Sequence, residues 1–270
     1  MKWVVHFHHP KGNLFHYGHF IVDAVLPLAL FLHQRPPGDG EEGERRLVLA
    51  YDASQHFGGL ELILSKIFPG LVLEYLPAGK RVEDHARETG EQVHGIEGYA
   101  FGPYPSLALD AIDAFLSSSS SSPLPVQDLV LCIERGFRPV ELPPCFSYPR
   151  NNTGARRRVL HNHGEVVAVL HAWASQHGLD FQNVQLEHMT WEDQLSLFRR
   201  ARVVFGQHGA GLCNIVFCAP TKSTVVLEAS HWGIPTIRNL AEARGLSWVQ
   251  VPSSMSHCNP RTLECILKRL

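Results

Sequence analysis

Six consecutive serines, Ser117 to Ser122, followed closely by Pro123 and Pro125, interrupt the chain near its middle. Such a run has no apolar side chain to bury, so it cannot form an inner layer of a core, and whatever folds on either side must do so around its own hydrophobic centre. A domain boundary near residue 124 follows, with one domain over 1–124 and a second over 125–270.

Each side alternates short β-rich runs with longer helical ones. The first opens with the strand "WVVHF" (Trp3–Phe7), then "NLFHYGHFIVDAVLPLALFLH", a long apolar helical stretch expected to bend or split around Pro27. "RLVLAYD" (strand), "GLELILSKIF" (helix) and "LVLEYL" (strand) follow. In the second half "DLVLCIERG" reads as a strand and "NHGEVVAVLHAWASQHG" as a helix with Val166, Val167, Leu170, Trp173 and Ala174 on one face. Then come a short strand "NVQLEHM" and the helix "TWEDQLSLFRRA", whose start has Thr190 at the cap and Asp193 three residues on. "FGQHGAGLCNIVF" predicts strand, tight turn and helix, and "STVVLEAS" a further strand. Alternating strand and helix places the chain in the α/β class, as two facing Rossmann-like domains, each a parallel sheet covered by helices. Ligands in such sheets bind outside the carboxyl ends of the strands.

The balance of 24 basic against 26 acidic residues, a formal charge of −2, argues against binding nucleic acid by bulk electrostatics. The opening "MKWVVHFHHP" lacks a signal-peptide h-region, and no apolar run reaches membrane-spanning length, so a soluble, cytoplasmic protein without a membrane span is expected. Six scattered cysteines without a CxxC pair are expected to be free thiols.

The turn after the strand at Val203–Phe205 carries the chemistry. Gly206, Gly209 and Gly211 give GxxGxG, the reverse of the dinucleotide fingerprint, so a nicotinamide cofactor is not indicated. A strand-to-helix turn leaves free amides that suit a phosphate, and His208 adds an imidazole. Arg135 at a strand end, the run Arg156, Arg157 and Arg158 ahead of a helix, and Lys222 are candidate cations for a diphosphate. Glu228, at the end of the next strand, is a candidate acceptor for ribose hydroxyls or else a salt-bridge partner. In the first half His16, His19 and Asp23, three and four apart, share a helical face. They suit either a metal or a general base.

Placed in order, these pieces resemble glycosyltransferase family 61. The matching stretches are "NLFHYGHFIVDAVLPL", "LCIERG" with "RRRVLHN", "MTWEDQLSLFRRARVVFGQHGAGLCNIVF" and "TVVLEAS". The resemblance implies a GT-B arrangement of two Rossmann-like domains and inverting transfer from a UDP-sugar, xylose or N-acetylglucosamine, to a glycan or protein hydroxyl. It implies a donor-diphosphate turn at His208, Gly209, Ala210 and Gly211, with Arg135, Arg158, Asn162 and Glu228 as matching donor-binding positions. His19 and Asp23 match as the pair in the first domain, with Asp23 the first choice of catalytic base and His19 the second. No metal is required on this reading. The alternatives are a metal-dependent hydrolase built on His16, His19 and Asp23, and a non-catalytic module that binds nucleotide or carbohydrate.

Overall fold

The computed structural model describes residues 2–8, 17–35, 45–49, 57, 60–99, 102–118, 127–135, 159–230, 233–254 and 256–270. These fall into two compact units, the described residues up to 118 and those from 127 onward. The boundary expected near residue 124 lies in 119–126, outside the described residues, as do His16 and the arginines at 156–158.

The first unit is built on the parallel strands β1 (Lys2–His8), β2 (Arg45–Leu49), β3 (Leu71–Tyr75) and β4 (Val93–Glu97), in the order β3-β2-β1-β4. After β1 the chain runs through α1 (Tyr17–His19), a π-helical segment Phe20–Val25 and α2 (Leu26–His33) without a break. The irregularity falls just before Pro27 rather than at it. A π-helical bond to the Val22 carbonyl would come from residue 27, which is proline and has no N–H; that carbonyl accepts instead from the Tyr99 amide at 3.4 Å. Helices α3 (Glu61–Ile67), α4 (Val82–Thr89) and α5 (Ser106–Ser118) complete the unit. α4, β4 and α5 lie beyond the elements read from sequence. The two apolar side chains of β4 in "VHGIE", Val93 and Ile96, stand three apart and so on opposite faces, which gives no strand alternation to read.

The second unit is a sheet of five parallel strands, β5 (Leu129–Ile133), β6 (Asp180–Val184), β7 (Ala201–Gln207), β8 (Val225–Ser230) and β9 (Ser247–Pro252), ordered β6-β5-β7-β8-β9. Its helices are α6 (His163–Gln176), α7 (Trp191–Arg200), α8 (Thr236–Arg244) and α9 (Pro260–Leu267). Val130, Cys132, Val203, Phe205, Leu227 and Ala229 pack with Val166, Leu170 and Ala174 of α6 and Leu263 and Leu267 of α9. β5 and β8 are buried at every position, which is why they read as nearly unbroken apolar runs.

Two elements differ from the sequence reading. The strand expected over "NVQLEHM" lies earlier, at Asp180–Val184, and Leu186–His188 is a single 3₁₀ turn. The ladder ends where the Glu134 amide takes the Val184 carbonyl at 2.8 Å, and the Gln194 side chain then holds the Leu186 carbonyl at 2.9 Å. The helix expected in "FGQHGAGLCNIVF" is a 3₁₀ helix, Ala210–Phe217, entered after a strand that continues to Gln207. Every residue from Leu212 to Phe217 is buried. Its partners include α7, through Trp191 edge-on to Phe217 at 5.9 Å and Asn214 donating to Gln194 Oε1 at 3.0 Å. The cap of α7 is as expected, with Thr190 Oγ1 accepting from the Asp193 amide at 3.2 Å.

Cys132, Cys213, Cys218 and Cys258 are buried free thiols and Cys265 is an exposed one. Among the described residues no helix is long and apolar enough to cross a membrane.

Candidate functional site

From β5 the chain winds first to β6 on one side, and then places β7 on the other. Connections therefore leave the carboxyl ends of β5 and β7 in opposite directions, and the reversal opens a crevice at that edge of the sheet. Ile133 at the end of β5 pairs in register with Gly206 of β7, so Arg135 and the turn at Gly206–Gly211 emerge side by side.

The three glycines of the turn do different work. A Cβ on Gly206 would sit 3.1 Å from Leu212 Cγ, and one on Gly211 3.2 Å from Leu186 Cδ1, so a larger residue at either position fits only if those leucine side chains give by a few tenths of an ångström. Gly209 has φ 152°, ψ −172°, a conformation essentially confined to glycine. A Cβ there would lie 2.8 Å from Arg135 Cζ, so the guanidinium of Arg135 rests against the bare Cα. The structure thus brings Arg135 to the turn.

Backbone pairing decides which amides of the turn remain. The His208 amide donates to the Ala229 carbonyl at 3.0 Å, extending the β7–β8 ladder, and the Leu212 amide donates to the Gly209 carbonyl at 3.0 Å. The amides of Gly209, Ala210 and Gly211 have no acceptor among the described residues. Consecutive amides without acceptors beside a guanidinium suit an anion.

His208 contributes through its ring. Its Nδ1 bonds to Glu228 Oε1, and Glu228 Oε2 accepts from Trp248 Nε1 at 2.8 Å. Glu228 is 2 % exposed. Both of its oxygens meet protein donors, so of the two readings the sequence offers, ribose acceptor or salt-bridge partner, the printed contacts are those of the second, with the carboxylate fixing the His208 ring. Trp248 was not among the expected site residues. The parallel register pairs Glu228 with Gln250, which puts Trp248, two residues earlier on β9, on the same face. That relation was open to a sequence reading that carried the strand pattern one element further.

Three further positions were expected at the donor site. Asn162 accepts from the Cys258 amide at 3.1 Å through Oδ1, and donates from Nδ2 to the Cys258 carbonyl at 2.7 Å and to Glu165 at 3.1 Å. Both polar atoms of its amide are engaged in tying the loop before α9 to the start of α6. Lys222 precedes β8, hence sits at the amino edge of the sheet, roughly 20 Å along the strand from the turn. Arg158 lies outside the described residues.

In the first unit the order β3-β2-β1-β4 places the reversal between β1 and β4. Asp23, in the π-helical segment, packs at that edge: its Oδ1 lies 2.7 Å from where a Cβ on Gly98 would sit, just beyond β4. His19 Nδ1 bonds to Asp23 Oδ2 at 2.7 Å. The aspartate is 0 % exposed and the histidine side chain 31 %. Wide π turns recur at functional sites, and here one carries a buried carboxylate that orients an accessible imidazole.

A family model described as Glycosyltransferase 61 matches residues 17–227, from the first residue of α1 to one residue short of Glu228. The Beta-1,2-xylosyltransferase of Arabidopsis thaliana is 27% identical over 180 residues, which is 64% of this chain and 31% of that relative. The match thus spans less than a third of the relative's length.

Proposed function

The chain belongs to glycosyltransferase family 61, and on that premise we propose that it transfers a sugar, with inversion, from a UDP-sugar to a hydroxyl group of a glycan or protein. The observation that carries the donor half is the Arg135 guanidinium against Gly209, next to three amides without acceptors, at the reversal between β5 and β7. Departure of UDP concentrates negative charge on its terminal phosphate. Fixed N–H groups and a guanidinium already in place stabilise that charge without reorganising. With Nδ1 committed to Glu228, the His208 ring meets a phosphate oxygen through Nε2.

The acceptor half belongs to His19 and Asp23. Asp23, the first choice on sequence, is fully buried against Gly98, whereas His19 is accessible, so their order reverses: His19 is the base and Asp23 its orienting partner. His19 Nε2 takes the proton of the acceptor hydroxyl while Nδ1–H donates to Asp23, which stabilises the imidazolium that forms. The acceptor oxygen bonds to the anomeric carbon as the bond from that carbon to the phosphate oxygen breaks, and its electron pair leaves on UDP. One displacement inverts the centre.

Xylose is the first donor to test, because the Arabidopsis relative is named a xylosyltransferase; N-acetylglucosamine is the second. The assay measures UDP released from each donor over a panel of glycan acceptors, with chelator present. Turnover is expected to persist in chelator and to fall more than tenfold in His208→Ala and Arg135→Ala. Normal turnover in both variants refutes the phosphate seat.

A further inference from the structure

With Glu228 enclosed by His208 and Trp248, the nucleotide needs another partner for its sugar. We propose that Glu134 is the acceptor for the ribose hydroxyls of the donor; this rests on the nucleotide reading above. Glu134 is the residue between Ile133, which packs beneath Gly206 and Gly211, and Arg135, which covers Gly209. Successive side chains at a strand end point to opposite faces. Arg135 therefore goes with the turn, and Glu134 goes over to the side of α6, so a nucleoside diphosphate laid across the end of β5 meets a cation on one side and a carboxylate on the other.

The Glu134 carboxylate is held in place. Oε2 accepts from Asn183 Nδ2 at 3.1 Å, and Asn183 Oδ1 is in turn bonded to His163 Nε2 at 2.9 Å. His163 Nε2 itself stands 3.9 Å from Glu134 Oε2. These three residues come from the ends of β5 and β6 and the first turn of α6. Oε1 has no donor among the described residues, and the side chain is 37 % exposed. A surface carboxylate gains little stability from being fixed by its neighbours. One whose second oxygen must meet a hydroxyl at a set place gains orientation. Open α/β sheets put a ribose-binding acid at this kind of position, across the ends of adjoining strands beside the phosphate turn.

The test is calorimetric titration of the full chain with UDP and with 2′,3′-dideoxy-UDP, which keeps the base and both phosphates. Wild type is expected to bind UDP about tenfold or more tightly than the dideoxy analogue, the size of a hydrogen bond to a charged acceptor. Glu134→Gln is expected to bind the analogue as wild type does and to lose most of its preference for UDP. Equal wild-type binding of the two nucleotides overturns the assignment while leaving the phosphate seat standing. Undiminished discrimination in Glu134→Gln overturns it as well, because the ribose is then read elsewhere. No wild-type binding of UDP refutes the donor reading, and the assignment falls with it.

Discussion

Replacing Gly209 by alanine tests the donor site through its tightest contact. The backbone there, at φ 152° and ψ −172°, costs a residue with a Cβ about 1–3 kcal/mol. The added methyl group would also stand 2.8 Å from Arg135 Cζ. The guanidinium is the end of a flexible side chain, so it moves aside, and the steric part is relieved at the expense of the site. Stability should fall mainly by the backbone term, seen as a lower melting temperature at about 2–4 °C per kcal/mol for a domain of this size. UDP affinity should fall about tenfold or more, the loss of a charge-assisted bond from Arg135. Arg135→Ala should lose the same affinity without straining the backbone at residue 209. The decisive quantity is the double variant, measured by calorimetry: if the methyl group acts by expelling Arg135, the two losses do not add, and the double variant binds UDP no worse than the weaker single one. Additive losses, or wild-type affinity in Gly209→Ala, would exclude expulsion of Arg135 as the cause.

His19→Ala should lower kcat by about a hundredfold or more with UDP affinity unchanged, since its part is proton transfer to a general base; Asp23→Asn should lower kcat by less, through the orientation of His19. Asn162→Ala should reduce stability by about 1–3 kcal/mol in chemical denaturation, leaving the Cys258 amide and carbonyl unpartnered, and should leave UDP affinity unaltered. Burial pushes the Cys218 thiol up from 9.0 to about 12 and the Cys258 thiol up to about 11, and raises Cys132 as well. Above about pH 9 the unfolded chain releases these protons and the native chain holds them, so stability present below pH 9 should decline as pH rises towards those native values. Urea unfolding at pH 7, 9 and 10.5 measures it, and mass spectrometry after brief alkylation of the native protein should find Cys265 modified and the buried thiols intact.

Much of this arrangement is legible in the sequence because it is local. Strands buried on both faces announce themselves as apolar runs, and Thr190 with Asp193 marks the start of α7. The glycine turn after β7 and the pair His19 and Asp23 are also contiguous features, and the fold does bring Arg135 to the first and a short bond to the second. What sequence left out depends on pairing between distant segments. Asn162 reads as a free amide until Cys258, 96 residues away, is known to lie against it. Glu228 reads as an exposed strand end until β9 brings Trp248 over it. The Val22 carbonyl, which Pro27 cannot serve, reads as unpartnered until Tyr99 is known to lie against it. Lys222 is a different case: in a parallel sheet a residue just before a strand lies at the amino edge, which the sequence order alone already implied.

On the proposed function the Gly209, Ala210 and Gly211 amides receive the donor diphosphate. The most direct measurement is NMR on protein labelled with ¹⁵N-glycine and ¹⁵N-alanine, with these resonances assigned by substitution and followed during titration with UDP and, separately, with uridine. All three amide resonances should move on addition of UDP, and uridine should leave them in place. Resonances that stay put with saturating UDP, or that respond equally to uridine, would contradict it.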